Sequence, residues 1–66
     1  MFTVFGERSD GTISQLVGFD RNEDARDYVL CEEAWIDVEN PDRLYDVLLI
    51  TDGNGRDEYP RRVMDF

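Results

Sequence analysis

Carboxylates are the chemistry this chain holds in abundance. Ten of its sixteen Asp and Glu residues lie between positions 20 and 46: Asp20, Glu23, Asp24, Asp27, Glu32, Glu33, Asp37, Glu39, Asp42 and Asp46. Only Arg21, Arg26 and Arg43 oppose them, so this stretch carries seven of the nine net negative charges of the whole chain. Carboxylates in such number can pair with Arg and Lys or, two at a time, cleave a glycosidic bond. The second use needs a cleft that surrounds a sugar, and 66 residues offer little material to build one.

Other catalytic groups are scarce. There is no histidine and no lysine, which removes the usual acid/base group at neutral pH, the commonest metal ligand and the Schiff-base amine. Cys31 is the sole cysteine and is followed by Glu32 and Glu33, whose charges favour the thiol over the thiolate, so it reads as structural or incidental. Asp52-Gly53-Asn54-Gly55-Arg56-Asp57 begins like a calcium loop, with Asp and Asn at the first and third ligand places. Arg56 at the fifth, Asp57 at the glycine position and Val63 at the twelfth break that pattern, and a hairpin turn is the better reading. These absences point away from an enzyme and from any cofactor or metal.

The elements that must carry the acidic stretch can be read from composition and periodicity. A chain of 66 residues with 41% hydrophobic content is expected to fold as one domain spanning 1–66. At this size stability is marginal, so a monomer and a homodimer both remain open. Residues 2–6 and 12–19, separated by Ser9-Asp10-Gly11, read as a β-hairpin. Asp20 followed by Glu23 has the spacing of a capping box, which predicts a helix from about Arg21 with Ala25, Tyr28 and Val29 on its buried face. Glu32 falls close to that face, so the helix either ends near residues 31–33 or lets Glu32 reach the edge of the core. Ala34, Ile36 and Val38 alternate with Trp35 and Asp37 as in a half-buried strand. The apolar run from Leu44 to Thr51 predicts a central strand, and the segment from Arg56 towards Phe66 a final one, held to an edge or a bulge by Pro60. The expected fold is α+β, β-β-α-β-β-β, a mostly antiparallel sheet of about five strands with one helix packed on one face.

On that helix Asp20, Glu23, Asp24 and Asp27 fall at i, i+3, i+4 and i+7, a row with about 6 Å of rise between four-residue neighbours. Like charges at this spacing destabilise a helix. The positive end of the helix dipole accounts for the first three of them but not for Glu32 onward. A row of carboxylates offers a protein what a nucleic-acid backbone offers, a rail of negative charge. The partner expected is therefore a basic, nucleic-acid-binding protein or complex, with no direct binding of nucleic acid and no anionic membrane surface. Trp35 reads as core, with a place beside Tyr45 on the contact surface as the other possibility. Residues 1–7 show no basic leader and no long apolar run, so a cytoplasmic location is expected.

In size, acidity and β-sheet-plus-helix layout the chain resembles the small acidic proteins that phages use to disarm host nucleic-acid enzymes, in particular DNA-mimicking anti-CRISPR proteins. The ending Tyr59-Pro60-Arg61-Arg62-Val63-Met64-Asp65-Phe66 is similar to the C-terminus of a small inhibitor of type I CRISPR systems. The resemblance implies that the acidic stretch occupies the DNA- or PAM-binding groove of a Cascade-type complex, in the cytoplasm of the phage's host. An acidic adaptor or antitoxin-like module that neutralises another basic protein is the competing expectation.

Overall fold

The computed structural model describes residues 1–61. Its architecture is α+β: four strands, β1 (Phe2–Glu7), β2 (Ile13–Phe19), β3 (Val47–Thr51) and β4 (Arg56–Pro60), with one helix, α1 (Asn22–Val29), and a 3-10 turn at Glu32–Trp35 between β2 and β3. The strands form one sheet in the order β2-β1-β3-β4, and every neighbouring pair is antiparallel.

The N-terminal hairpin forms where its β-branched and aromatic runs place it. Gly11 takes φ +91° in the turn, and the Asp10 carboxylate accepts hydrogen bonds from the Thr12 N–H and hydroxyl, a local closure that Asp supplies readily. The apolar run ends in β3, which lies between β1 and β4 in the interior of the sheet as expected. Pro60 closes β4 at the sheet edge, where its missing N–H is tolerated. The remainder of the predicted last segment, residues 62–66, lies outside the described residues.

Val4, Leu48 and Ile50 from the sheet pack against Ala25 and Val29 of α1 and against Ala34, Trp35 and Tyr45. The two large aromatics have specific seats. Trp35 donates its indole N–H to the Val29 carbonyl at 2.8 Å. Tyr45 lies so close over Gly6 that an added Cβ would sit 2.6 Å from its ring carbons. A side chain at position 6 would therefore exclude the ring, and the glycine is there for the close approach.

Several expectations need correction. The strand expected at 34–38 does not form: Ala34 and Trp35 belong to the 3-10 turn, and beyond it only the isolated bridge between Ile36 and Leu44 remains. The alternation from residue 34 to 38 is real but has the opposite phase from Trp35 onward. Trp35 and Asp37 are buried, and Ile36 and Val38 are exposed. Trp35 has more apolar area to hide than either aliphatic, and Asp37 follows it inward because Arg8 neutralises its charge. The helix is shorter than expected, ending at Val29, with Leu30 and Cys31 donating back to Asp27 and Tyr28 in a tightened last turn. Its N-cap is Arg21, extended and without a side-chain cap bond, so Asp20 and Glu23 do not form the capping box. Glu32 is exposed on the 3-10 turn, so of the two alternatives it does not reach the edge of the core.

Among the described residues no helix is long and apolar enough to cross a membrane.

Candidate protein-binding surface

A basic residue at the end of β1 ties the acidic stretch to the sheet. Arg8 follows β1 directly, and its guanidinium is the centre of a network. Nε donates to Asp37 Oδ2 at 2.7 Å, and Nη2 donates to Asp37 Oδ1 at 3.0 Å, to Glu39 Oε2 at 2.6 Å and to Ser14 Oγ at 2.6 Å. The guanidinium carbon also lies 5.5 Å from the centroid of the Tyr45 ring, within reach of a cation–π contact. Asp37 uses its Oδ1 further, accepting the backbone N–H groups of Glu39 and Asn40. The Tyr45 hydroxyl accepts the N–H of Val38 at 3.1 Å. The segment from Ile36 to Tyr45 is thus tied to the end of the sheet through a two-pronged ion pair whose planar fork suits a carboxylate.

This network removes Asp37 from the surface. Its side chain is only 3% exposed, and the hydrogen bond from Arg8 is the main cause that holds its carboxyl at about 2, well below the usual carboxylate range. Burial works in the opposite direction, while the N–H groups of Glu39 and Asn40 add to the lowering. Asp37 was expected to meet a partner; it organises the arm that carries the residues which can.

The remaining nine carboxylates of the stretch are placed as follows. Asp20, Glu23, Asp24, Asp27, Glu32, Glu33, Glu39 and Asp42 are exposed, and Asp46 is half-buried. Glu23, Asp24 and Asp27 occupy the side of α1 away from its buried Ala25 and Val29, within an arc of about 100°. Asp20 precedes the helix and does not extend that row as a helical position. Glu32 and Glu33 follow on the 3-10 turn. Three of the nine have cationic neighbours: Glu23 pairs with Arg21, Glu39 with Arg8, and Asp46 stands 3.9 Å from Arg61. Among the described residues the other six have no cation within pairing distance. Trp35 and Tyr45 are both fully buried, so neither supplies contact area at the surface.

The structure exposes instead three residues whose pattern predicts strand positions, Ile36 and Val38 in a half-buried strand and Leu44 at the start of the central one. Ile36 is 39%, Val38 65% and Leu44 44% exposed. All three lie within the acidic stretch. The same alternation, read in the phase that buries Trp35, would have found Ile36 and Val38.

Comparison with family models, with curated proteins and with solved structures gives no match. The chemistry of the surface must therefore carry the functional reading. It combines unpaired carboxylates, which attract and hydrogen-bond Arg and Lys, with an apolar group of three side chains in the same stretch.

Away from this surface, an open cavity of about 330 Å³ lies between Phe2, Asn22 and Ile50 and the β3–β4 turn. Asp52 Oδ1 in that turn accepts the N–H groups of Asn54 and Gly55, and Gly53 takes φ +92°. This is the hairpin turn expected over a calcium loop. No group of three or more His, Cys, Asp or Glu side chains able to hold a metal occurs among the described residues.

Proposed function

We propose that this chain is a binding inhibitor that presents an acidic, DNA-mimicking surface to a basic nucleic-acid-binding protein. The specific reading is an anti-CRISPR protein that blocks DNA or PAM recognition by a type I Cascade complex in the host cytoplasm. The observation that carries the proposal is the exposure of eight carboxylates between Asp20 and Asp42, six of them without a cationic neighbour among the described residues. Unpaired charge at this density is unfavourable for the free protein and gains most when an Arg/Lys-lined groove neutralises it. A nucleic-acid-binding groove is such a surface, because it has been built to neutralise phosphates.

The mechanism is competition. The acidic face approaches quickly under long-range attraction, takes the positions that phosphates would take, and leaves the groove unable to accept duplex. No bond is made or broken and no cofactor takes part.

The test is retention of a labelled, PAM-bearing duplex by a purified type I surveillance complex in the presence of the protein. Wild-type chain is expected to abolish retention. A variant with Glu23, Asp24, Asp27, Glu32 and Glu33 all changed to Lys is expected to leave it intact while keeping the native circular dichroism spectrum. Equal inhibition by the two proteins would reject the role of the acidic surface.

A further inference from the structure

We infer that Ile36, Val38 and Leu44 form an apolar anchor within the acidic surface, and that the partner meets it with apolar side chains flanked by Arg or Lys. The inference builds on the reading of the partner as a basic protein and adds what that protein must present at one place.

The geometry comes from the arm itself. The Asp37 N–H donates to the Arg43 carbonyl at 2.9 Å, and the Tyr45 N–H donates to the Trp35 carbonyl at 2.8 Å. These two bonds bracket the Ile36–Leu44 bridge, which makes it a pair of the non-hydrogen-bonded kind, where facing side chains come closest. The facing side chains of such a pair lie on one side of the ribbon; Ile36 and Leu44 are exposed there while their neighbours Asp37 and Tyr45 are buried. Val38, two residues after Ile36, is exposed as well.

The patch is held ready for contact. Arg8 fixes Asp37 from both carboxylate oxygens, Tyr45 accepts from the Val38 N–H, and Gly6 lets the Tyr45 ring sit against β1. Little ordering remains to be done on binding, so burial of the three side chains contributes almost in full. Charge decides the occupant. Glu32 and Glu33 precede the patch in the chain, and Glu39, Asp42 and Arg43 lie between Val38 and Leu44; all five are exposed, and four acids against one base leave the surroundings net negative. A second copy of this chain, a nucleic acid or an anionic membrane would bring negative charge against that rim. A basic protein brings the complement, and an apolar centre within a charged rim is the usual anatomy of a protein interface.

The probe is a pair of synthetic peptides of equal length and equal Arg content, one carrying Leu between the Arg residues and the other Ser at the same places. Calorimetric titration of the intact protein is expected to show the Leu peptide binding about ten-fold tighter. The double variant V38S/L44S is expected to lose that preference while keeping its affinity for the Ser peptide. Amide shifts at Ile36, Val38 and Leu44 should respond to the Leu peptide alone. If the double variant lacks the native near-ultraviolet signal of Trp35, V38S at the most exposed of the three positions takes its place. Equal affinity for the two peptides, or a preference that survives the substitution, overturns the anchor. Loss of the anchor with DNA competition intact rejects this inference alone, and the reverse pattern rejects DNA mimicry while keeping the anchor.

Discussion

Asp37 shows how one residue can be misjudged when its partner is distant in sequence. It sits among nine other carboxylates and looks like one more surface charge, yet Arg8, 29 positions earlier, draws it inward. No local pattern in the chain links the two. Because its folded-state carboxyl is held at about 2, below the ordinary value for an unfolded chain, Asp37 stabilises the fold at and above the unfolded value. That contribution fades as pH falls from about 4 through about 2. D37N is therefore expected to lower the thermal midpoint at pH 7 and to weaken the pH dependence in that acid window, as followed by circular dichroism melts from neutral to pH 2. Trp35 is the other decisive residue. Truncation to Ala removes the largest fully buried side chain and should cost about 3–5 kcal/mol, comparable with the whole stability of a domain this small. W35A is expected to show no cooperative thermal transition, whereas a midpoint near that of the wild type would mean that the core does not depend on it.

At the scale of elements, α1 begins without a side-chain cap. Arg21 occupies its N-cap position without contributing a side-chain bond, and the exposed Arg21–Glu23 pair contributes little in return. R21S supplies an oxygen acceptor for the free N–H groups of the first turn and is expected to stabilise the protein by about 1 kcal/mol, measurable by chemical denaturation. What was legible in the sequence follows a simple division. The β1–β2 hairpin, β3 and the turn at Asp52 were found because turn chemistry and apolar runs are local signals. The helix was found with its start within one residue, but its cap and C-terminal end were not: Asp20 and Glu23 have capping-box spacing without forming the cap, and the last turn tightens after Val29. The supposed strand at 34–38 failed because alternation gives a period and not a phase. Choosing the phase required weighing the burial of Trp35 against the charge of Asp37, and that balance turns on Arg8. The same error hid the exposed Ile36 and Val38, while Leu44 was taken for the start of the central strand, which begins only at Val47; most of the carboxylates fell on the surface as expected.

For the whole molecule the governing quantity is a net charge of −9 on 66 residues. Charge spread over so many carboxylates has no indispensable member. Asp24→Ala alone should weaken binding to a basic partner by less than about five-fold, and Lys at five positions should abolish it. Binding of the wild type should fall steeply between low and high salt, to a floor set by apolar contact. A direct test asks whether the protein and DNA can occupy the target together. Labelled protein and labelled PAM-bearing duplex are titrated onto a type I surveillance complex, and coincidence of the two labels on single complexes is counted. The account predicts that complexes carry one label or the other, with the protein displacing duplex in proportion to its occupancy. Complexes that hold both labels at once would contradict DNA mimicry and favour an acidic adaptor that binds beside the groove.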